Sequence, residues 1–352
     1  MKTIEVDLIS NKYDIVIQSG ILKNSGEEIT EIYKEKKIAV ITDKNVLGLH
    51  GDELKKSLLD YGYDVRFITI KPGEKSKSLE TLTEIYNDLI DFGITRSNLI
   101  IAFGGGVVGD LAGFAASTYL RGIDYMQIPT TLLSQIDSSI GGKVGVNLDK
   151  GKNLVGSFYQ PKKVIIDPHA LTTLPEKYIK DGLGEVIKYA CIKDADFFEQ
   201  LMEIKTSEEL FQNMEEIIFK CCNIKKEYVE NDERDTGLRM ILNFGHTFGH
   251  AVEKYFDYEK THGWAVALGM YHITQKSESL GYTVPGTAEK IKNILINFNM
   301  DYQMPVMDMD LIKKAVCLDK KNLSDKINLI LIKKIGESFI EKIPVENIDK
   351  FI

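Results

Sequence analysis

Between residues 37 and 129 two hydrophobic patterns take turns along the chain. Short β-branched runs, Lys37–Thr42, Asp64–Thr69, Asn98–Phe103 and Tyr125–Pro129, read as strands. Between them, Gly51–Tyr61 and Ser78–Phe92 place apolar residues every three or four positions (Leu79, Leu82, Ile85, Tyr86, Leu89) and predict amphipathic helices. Such alternation predicts parallel βαβ units with right-handed crossovers, which take ligands at the carboxyl ends of their strands. After Pro168 the helical period takes over. Leu174–Ala190, Glu208–Val229, Arg239–Tyr255, Trp264–Leu280 and Ala288–Phe298 predict successive helices, with one short strand pair near Lys326–Lys342. The expected architecture is an α/β domain over residues 1–168 and an all-α-rich domain over residues 169–352, with the active site in a cleft between them.

Length agrees: 352 residues suit two domains at roughly 150 residues each. One apolar stretch, Leu99–Leu120, carries Asp110 as its only charge, but Gly104, Gly105 and Gly106 interrupt it. Glycine costs about 1 kcal/mol per residue inside a helix, so a strand, a turn and a buried helix are expected rather than a membrane span. A net charge of −8 makes a poor non-specific partner for nucleic acid. Cys191, Cys221, Cys222 and Cys317 form no CxxC pair, and acids stand in the first seven residues where an export signal needs an apolar run. A reduced, cytoplasmic setting is expected.

Gly104-Gly-Gly-Val-Val-Gly109 satisfies G-x-G-x-x-G between a buried strand and a helix over Val107–Tyr119, and Asp110 follows. Glycines there let backbone N–H groups approach a pyrophosphate, so a Rossmann-like sheet holding a dinucleotide is expected. The motif comes after two earlier strand–helix units and lacks an acid about 20 residues on; Asp43, at the end of an earlier strand, could serve the ribose instead. His246 and His250 stand four apart on one helix face, and His262 follows, so half of the six histidines fall within 17 residues. Such a cluster suits Zn²⁺ or a similar divalent ion, with Glu185 as the best carboxylate to complete the sphere and Gly182 and Gly184 allowing close packing beside it. Only five arginines stand against 39 lysines, so Arg121 and Arg239 are candidates for bidentate anion contacts. With Lys143, Lys152 and Lys188 they point to a strongly anionic small substrate.

Several segments together resemble the 3-dehydroquinate synthase family. They are Pro72-Gly-Glu-Lys-Ser-Lys77, Gly104–Asp110, Ala116–Gly122, Pro129–Leu132, Asp137–Asn147, Gly151-Lys-Asn153, Gly184–Lys188, Leu238–His250, His262-Gly and Asp319-Lys-Lys321, in the family's order over nearly the whole chain. The resemblance implies a dehydroquinate synthase-like fold and conversion of 3-deoxy-D-arabino-heptulosonate 7-phosphate into 3-dehydroquinate and phosphate, the second step of the shikimate pathway. The implied course is transient oxidation, phosphate elimination, re-reduction, ring opening and aldol closure. It implies NAD⁺, Zn²⁺ or Co²⁺, a small anionic sugar-phosphate substrate and a cytoplasmic homodimer, with neither nucleic acid nor membrane as partner. By motif position Glu185, His246 and His262 would bind the metal and His250 would face the substrate. Asp43, Gly73, Glu74, Lys77, Gly105, Gly106, Val107, Val108, Gly109, Asp110, Thr130, Thr131, Lys143, Lys152, Ala170 and Thr173 would line the NAD⁺ site. Asp137, Lys143, Asn153, Lys188, Lys225, Arg239, Asn243 and Lys320 or Lys321 would hold substrate, and Arg121 would reach its phosphate.

Two positions depart from the family. Asp235 stands where a glutamate is usual, and Ala170 where an aromatic residue is common. Iron-type alcohol or glycerol dehydrogenases share the expected architecture, but their Asp-x-Ala-Lys pattern is missing. Among kindred sugar phosphate cyclases, Arg121, Asn153 and the Lys320/Lys321 pair favour the dehydroquinate branch.

Overall fold

A computed structural model describes residues 1–8, 11–257, 259–320 and 326–352, and of 317–320 only the backbone. The chain divides into two compact units, Met1–Pro175 with Met214–Arg234, and Glu176–Asn213 with Asp235–Ile352. The break expected after residue 168 therefore comes seven residues later, and one stretch of the second half belongs to the first unit.

The first unit is built on β1 (Lys2–Leu8), β2 (Asn11–Ile17), β3 (Lys37–Asp43), β4 (Asp64–Ile70), β5 (Leu99–Gly104), β6 (Tyr125–Pro129), the hairpin β7 (Lys143–Leu148) and β8 (Gly151–Phe158), and β9 (Lys163–Ile166). Seven strands make one sheet in the order β1-β2-β9-β6-β5-β3-β4. Every pairing in it is parallel except β1 with β2. Both faces are covered. Ala39, Ile41, Ile100 and Ala102 pack with Leu82, Ile85 and Leu111 on one side, while Ile38, Val40, Leu99 and Ile101 pack with Leu54 and Leu58 on the other. Burial on both faces is why these strands read as unbroken apolar runs. Four helices alternate with these strands along the chain: α1 (Ser25–Thr30), α2 (Lys44–Asp60), α3 (Leu79–Phe92) and α4 (Gly106–Thr118). From β3 the chain runs out to β4 and returns to β5 on the other side of β3. This reversal leaves a crevice at the carboxyl ends of β3 and β5, where Thr42 pairs with Phe103.

The remaining elements are α5 (Glu176–Lys193), α6 (Ala195–Glu203), α7 (Ser207–Gln212), α8 (Met214–Asn231), α9 (His246–Tyr255), α10 (His262–Ser279), α11 (Thr287–Asn297), α12 (Met309–Lys320) and the hairpin β10 (Lys326–Lys334) with β11 (Glu337–Pro344). All but α8 lie in the second unit. The helix expected over Glu208–Val229 is two: α7 opens with a capping box between Thr206 and Glu209 and ends at Asn213. The helix expected over Arg239–Tyr255 is also two, a 3₁₀ segment at Leu238–Asn243 and α9, separated by Gly245 at φ +79°. In the first unit, α8 packs on β1, and the Asp7 amide donates to Glu230 at 2.7 Å. Among the described residues, no helix is long and apolar enough to cross a membrane.

Candidate active site

In the second unit, α10 meets α5 and α9 at backbone distance because glycines face it. A Cβ on Gly184 would lie 2.7 Å from the Cα and carbonyl carbon of Gly263, and one on Gly249 would lie 3.0 Å from the Ala265 carbonyl oxygen. Asp181 of α5 accepts the Gly263 amide at 2.6 Å, which fixes the start of α10. This packing brings Glu185 of α5, His246 of α9 and His262 of α10 together, one ligand atom from each lying within 4.8 Å of the others. His246 Nε2 and His262 Nε2 stand 3.4 and 3.5 Å from the same atom, Glu185 Oε1. Their other ring nitrogens are engaged: His246 Nδ1 with the Phe244 carbonyl, and His262 Nδ1 with Glu253 Oε2, each at 3.2 Å. With Nδ1 protonated toward those acceptors, both Nε2 lone pairs turn inward beside a carboxylate, a donor set that suits a divalent ion such as Zn²⁺.

Glu185 is fully buried, and the buried ammonium of Lys188 pairs with its Oε2. Burial drives the His246 pKa well below its ordinary value. Burial also opposes charge on His262, yet hydrogen bonds to Glu185 and Glu253 hold its pKa up at about 10. His250 is exposed, its ring 5.2 Å from that of His246. Glu253 and Asp181 were not singled out from the sequence. Glu253 lies seven residues after His246, on the same face of α9, and that spacing was the available signal.

In the first unit, the glycine turn and Asp43 meet at the crevice between β3 and β5. Asp43 caps α2, its Oδ1 accepting the Asn45 and Val46 amides at 2.8 and 3.2 Å. The N-cap of α4 is Gly105, with no side-chain cap, so the first amides of that helix are available to an anion. A Cβ on Gly105 would stand 3.1 Å from Thr131 Cγ2, and one on Gly106 3.1 Å from Ser138 Oγ, so side chains crowd the turn from one side. Thr130 is buried, and its amide donates to the Gly104 carbonyl at 3.0 Å. Of the motif's other residues, Val107 is half-buried while Val108 and Gly109 are buried. Lys77, buried, donates to both Asp110 and Asn153. Burial pushes the Asp110 carboxyl up, and Lys77 pulls it back. Asn147 joins the same network, donating to Glu74 at 2.7 Å and accepting the Asn153 amide at 2.9 Å. This places Asn153, expected among the substrate residues, against Lys77, which the resemblance assigns to the NAD⁺ site. Gly73 has φ +102° with open space around it. Thr173 donates to the carbonyl of the buried Ala170 at 3.0 Å and meets His50 at 2.9 Å.

Asp137 lies in a single π-helical turn, Ser134–Ser138, and pairs with the buried Lys225 of α8 at 2.6 Å. Lys143 is exposed and Lys152 half-buried, both on the β7–β8 hairpin. Arg121 is exposed in a run of left-handed residues, with φ +50° at Leu120, +71° at Arg121 and +113° at Gly122. Arg239 is buried in the Leu238–Asn243 segment and Asn243 is exposed. Asp235 sits at φ +58°, a conformation the shorter side chain tolerates well. The Lys320 side chain and Lys321 lie outside the described residues.

Residues 67–181 match the family model for the 3-dehydroquinate synthase N-terminal region, and residues 182–322 that for the C-terminal region. The chain is 53% identical over 347 residues to the 3-dehydroquinate synthase of Clostridium botulinum (strain Alaska E43 / Type E3), covering 98% of this chain and 99% of the relative. It is 54% identical to that of Clostridium acetobutylicum over 353 residues, covering 100% and 99%. Among solved structures, a 2-epi-5-epi-valiolone synthase from Streptomyces hygroscopicus subsp. jinggangensis 5008, with NAD⁺ and Zn²⁺ bound, superposes with TM-score 0.88 at 27% identity, covering 97% and 96% of the two chains. An NADH-dependent butanol dehydrogenase from Thermotoga maritima shares the fold at TM-score 0.62 and 16% identity, covering 96% and 95%.

Proposed function

The chain belongs to the 3-dehydroquinate synthase family, and from that premise we propose how its residues divide the reaction. It is a phosphate-eliminating lyase that converts the heptulosonate phosphate into 3-dehydroquinate and phosphate. The observation that carries the assignment of roles is the meeting of Glu185, His246 and His262 from three helices. These three hold the divalent metal. The uncapped start of α4, with Asp43, Thr130, Thr131 and the Lys77–Asp110 pair, holds NAD⁺, a cofactor present in the structure of the Streptomyces relative. When bound, the two groups supply a Lewis acid and a reversible hydride acceptor.

The chain's own residues orient the substrate and balance its charge. Lys188 neutralises Glu185 and presents an ammonium next to the metal ligands. Lys225 fixes the Asp137 carboxylate, while Lys143, Lys152 and Arg239 offer positive charge to the substrate's carboxylate and phosphate. Arg121, exposed on its left-handed run, is available to a second copy of the chain in a homodimer. Cys191, Cys221 and Cys222 are buried thiols rather than a disulfide framework, which supports a cytoplasmic setting.

The test supplies heptulosonate phosphate, Zn²⁺ or Co²⁺, and NAD⁺ far below one equivalent of substrate. Complete phosphate release without net NADH is expected. NADH rising to the amount of NAD⁺ supplied, with phosphate retained, would make the protein a dehydrogenase on the same fold.

A further inference from the structure

We infer that Glu253 is a positioning residue for the metal ligand His262. The inference rests on the reading of Glu185, His246 and His262 as the metal site and deepens it. Glu253 stands on the α9 face that carries His246 and His250, seven residues beyond the former. It is buried, 6% exposed, and its Oε2 lies 3.2 Å from His262 Nδ1. A carboxylate at that nitrogen accepts its proton, fixes the tautomer and turns Nε2 toward Glu185, where the metal would bind.

The two imidazoles are therefore supported differently. His246 leans on a neutral backbone carbonyl, that of Phe244. His262 leans on a charged group, which makes it the more basic donor and keeps its ring fixed at the first turn of α10. His250, Glu253 and His262 also offer ligand atoms within 4.8 Å of one another, so a direct ligand role for Glu253 is the competing arrangement. The geometry points away from it: Glu253 already occupies the outer nitrogen of His262, and His250 is exposed.

The test measures Zn²⁺ affinity by chelator competition and the visible spectrum of the Co²⁺-loaded protein. Glu253→Ala is expected to weaken Zn²⁺ binding about 10- to 100-fold. Glu253→Gln keeps an acceptor oxygen near Nδ1 and is expected to bind severalfold more tightly than Glu253→Ala. At saturation both should show Co²⁺ bands at the wild-type positions, since the ligand set is intact. Wild-type affinity in Glu253→Ala, no recovery in Glu253→Gln, or displaced Co²⁺ bands would each overturn the inference. If Glu253→Ala does not fold, Glu253→Met, of similar volume and without an acceptor, is compared with Glu253→Gln in the same way. His246→Ala is the separate control. If it binds Zn²⁺ as wild type does, the metal-site reading itself fails, whatever Glu253 does.

Discussion

Replacing Gly184 with alanine tests whether backbone contact between α5 and α10 builds the metal site. The new methyl would lie 2.7 Å from two backbone atoms of Gly263, where ordinary contact starts at 3.4 Å, and closer still to the Gly263 carbonyl oxygen. No side-chain rotation relieves a collision with backbone, so the helices must separate by about 1 Å, a shift that close-packed interiors resist. The collision is one residue from Glu185 and one from His262. Their ligand atoms should part by a similar amount, several times the roughly 0.2 Å tolerance of a metal site. Overpacking of this kind costs about 1–3 kcal/mol, partly offset by up to about 1 kcal/mol from alanine's better helix propensity. Expected results are a lower urea midpoint for the metal-free protein and Zn²⁺ affinity reduced at least about tenfold. Gly48→Ala is the matched control: it lies inside α2 with open space at its Cβ position. It should gain about 0.5–1 kcal/mol and bind Zn²⁺ normally. Gly184→Ala with unchanged stability and affinity would refute the argument.

Three further outcomes follow from the geometry. His272, buried and stacked on Phe248 with ring centroids 4.4 Å apart, has its pKa held down at about 4 by burial. The unfolded chain takes up that proton near pH 6.5, so the stability contribution is complete above 6.5. About 3 kcal/mol of it is lost as pH falls toward 4, and urea midpoints for His272→Leu should show that part of the slope removed. Lys77→Met leaves the Asp110 carboxylate without its cation. It should cost about 3 kcal/mol of stability and weaken NAD⁺ binding in a fluorescence titration; wild-type behaviour in both would remove the pair from the cofactor site. Lys143→Ala and Arg239→Ala should each cut turnover about 100-fold or more while NAD⁺ affinity survives. Near-normal activity in both variants would take them out of the substrate group.

What the sequence disclosed depended on how far each signal stood above its background. β5 and β6 were legible because strands buried on both faces are continuous apolar runs. β1 was not, because Ile4, Val6 and Leu8 alternate with Glu5 and Asp7 through its seven residues and form no continuous apolar run. β9 is shorter still, four residues. The split between α7 and α8 was hidden because apolar spacing continues across it, although Thr206 and Glu209 spell the capping box that starts α7. At the site, His246 and His262 stood out because histidine is scarce here. Glu253 and Asp181 did not, since a glutamate or aspartate on a helix looks like any solvated charge until burial is known. Asn147, which ties Glu74 to Asn153, closes one of the family-like segments, but an amide in a glycine-rich hairpin gives no sign of its partners.

The placement of α8 in the first unit has a consequence for the order in which the protein can be completed during synthesis. The last strand of the sheet, β9, ends at Ile166, but the helix that packs on β1 is finished only at Asn231. At a ribosome's pace of about 5–20 residues per second, that gap lasts several seconds. For that interval the nascent first unit lacks the apolar side chains of Ile217, Ile218 and Cys221, and Asp137 waits for Lys225. Neither half of the gene, cut where one unit first gives way to the other, encodes a finished body: a fragment ending at Pro175 has the whole sheet but not the helix that packs on β1.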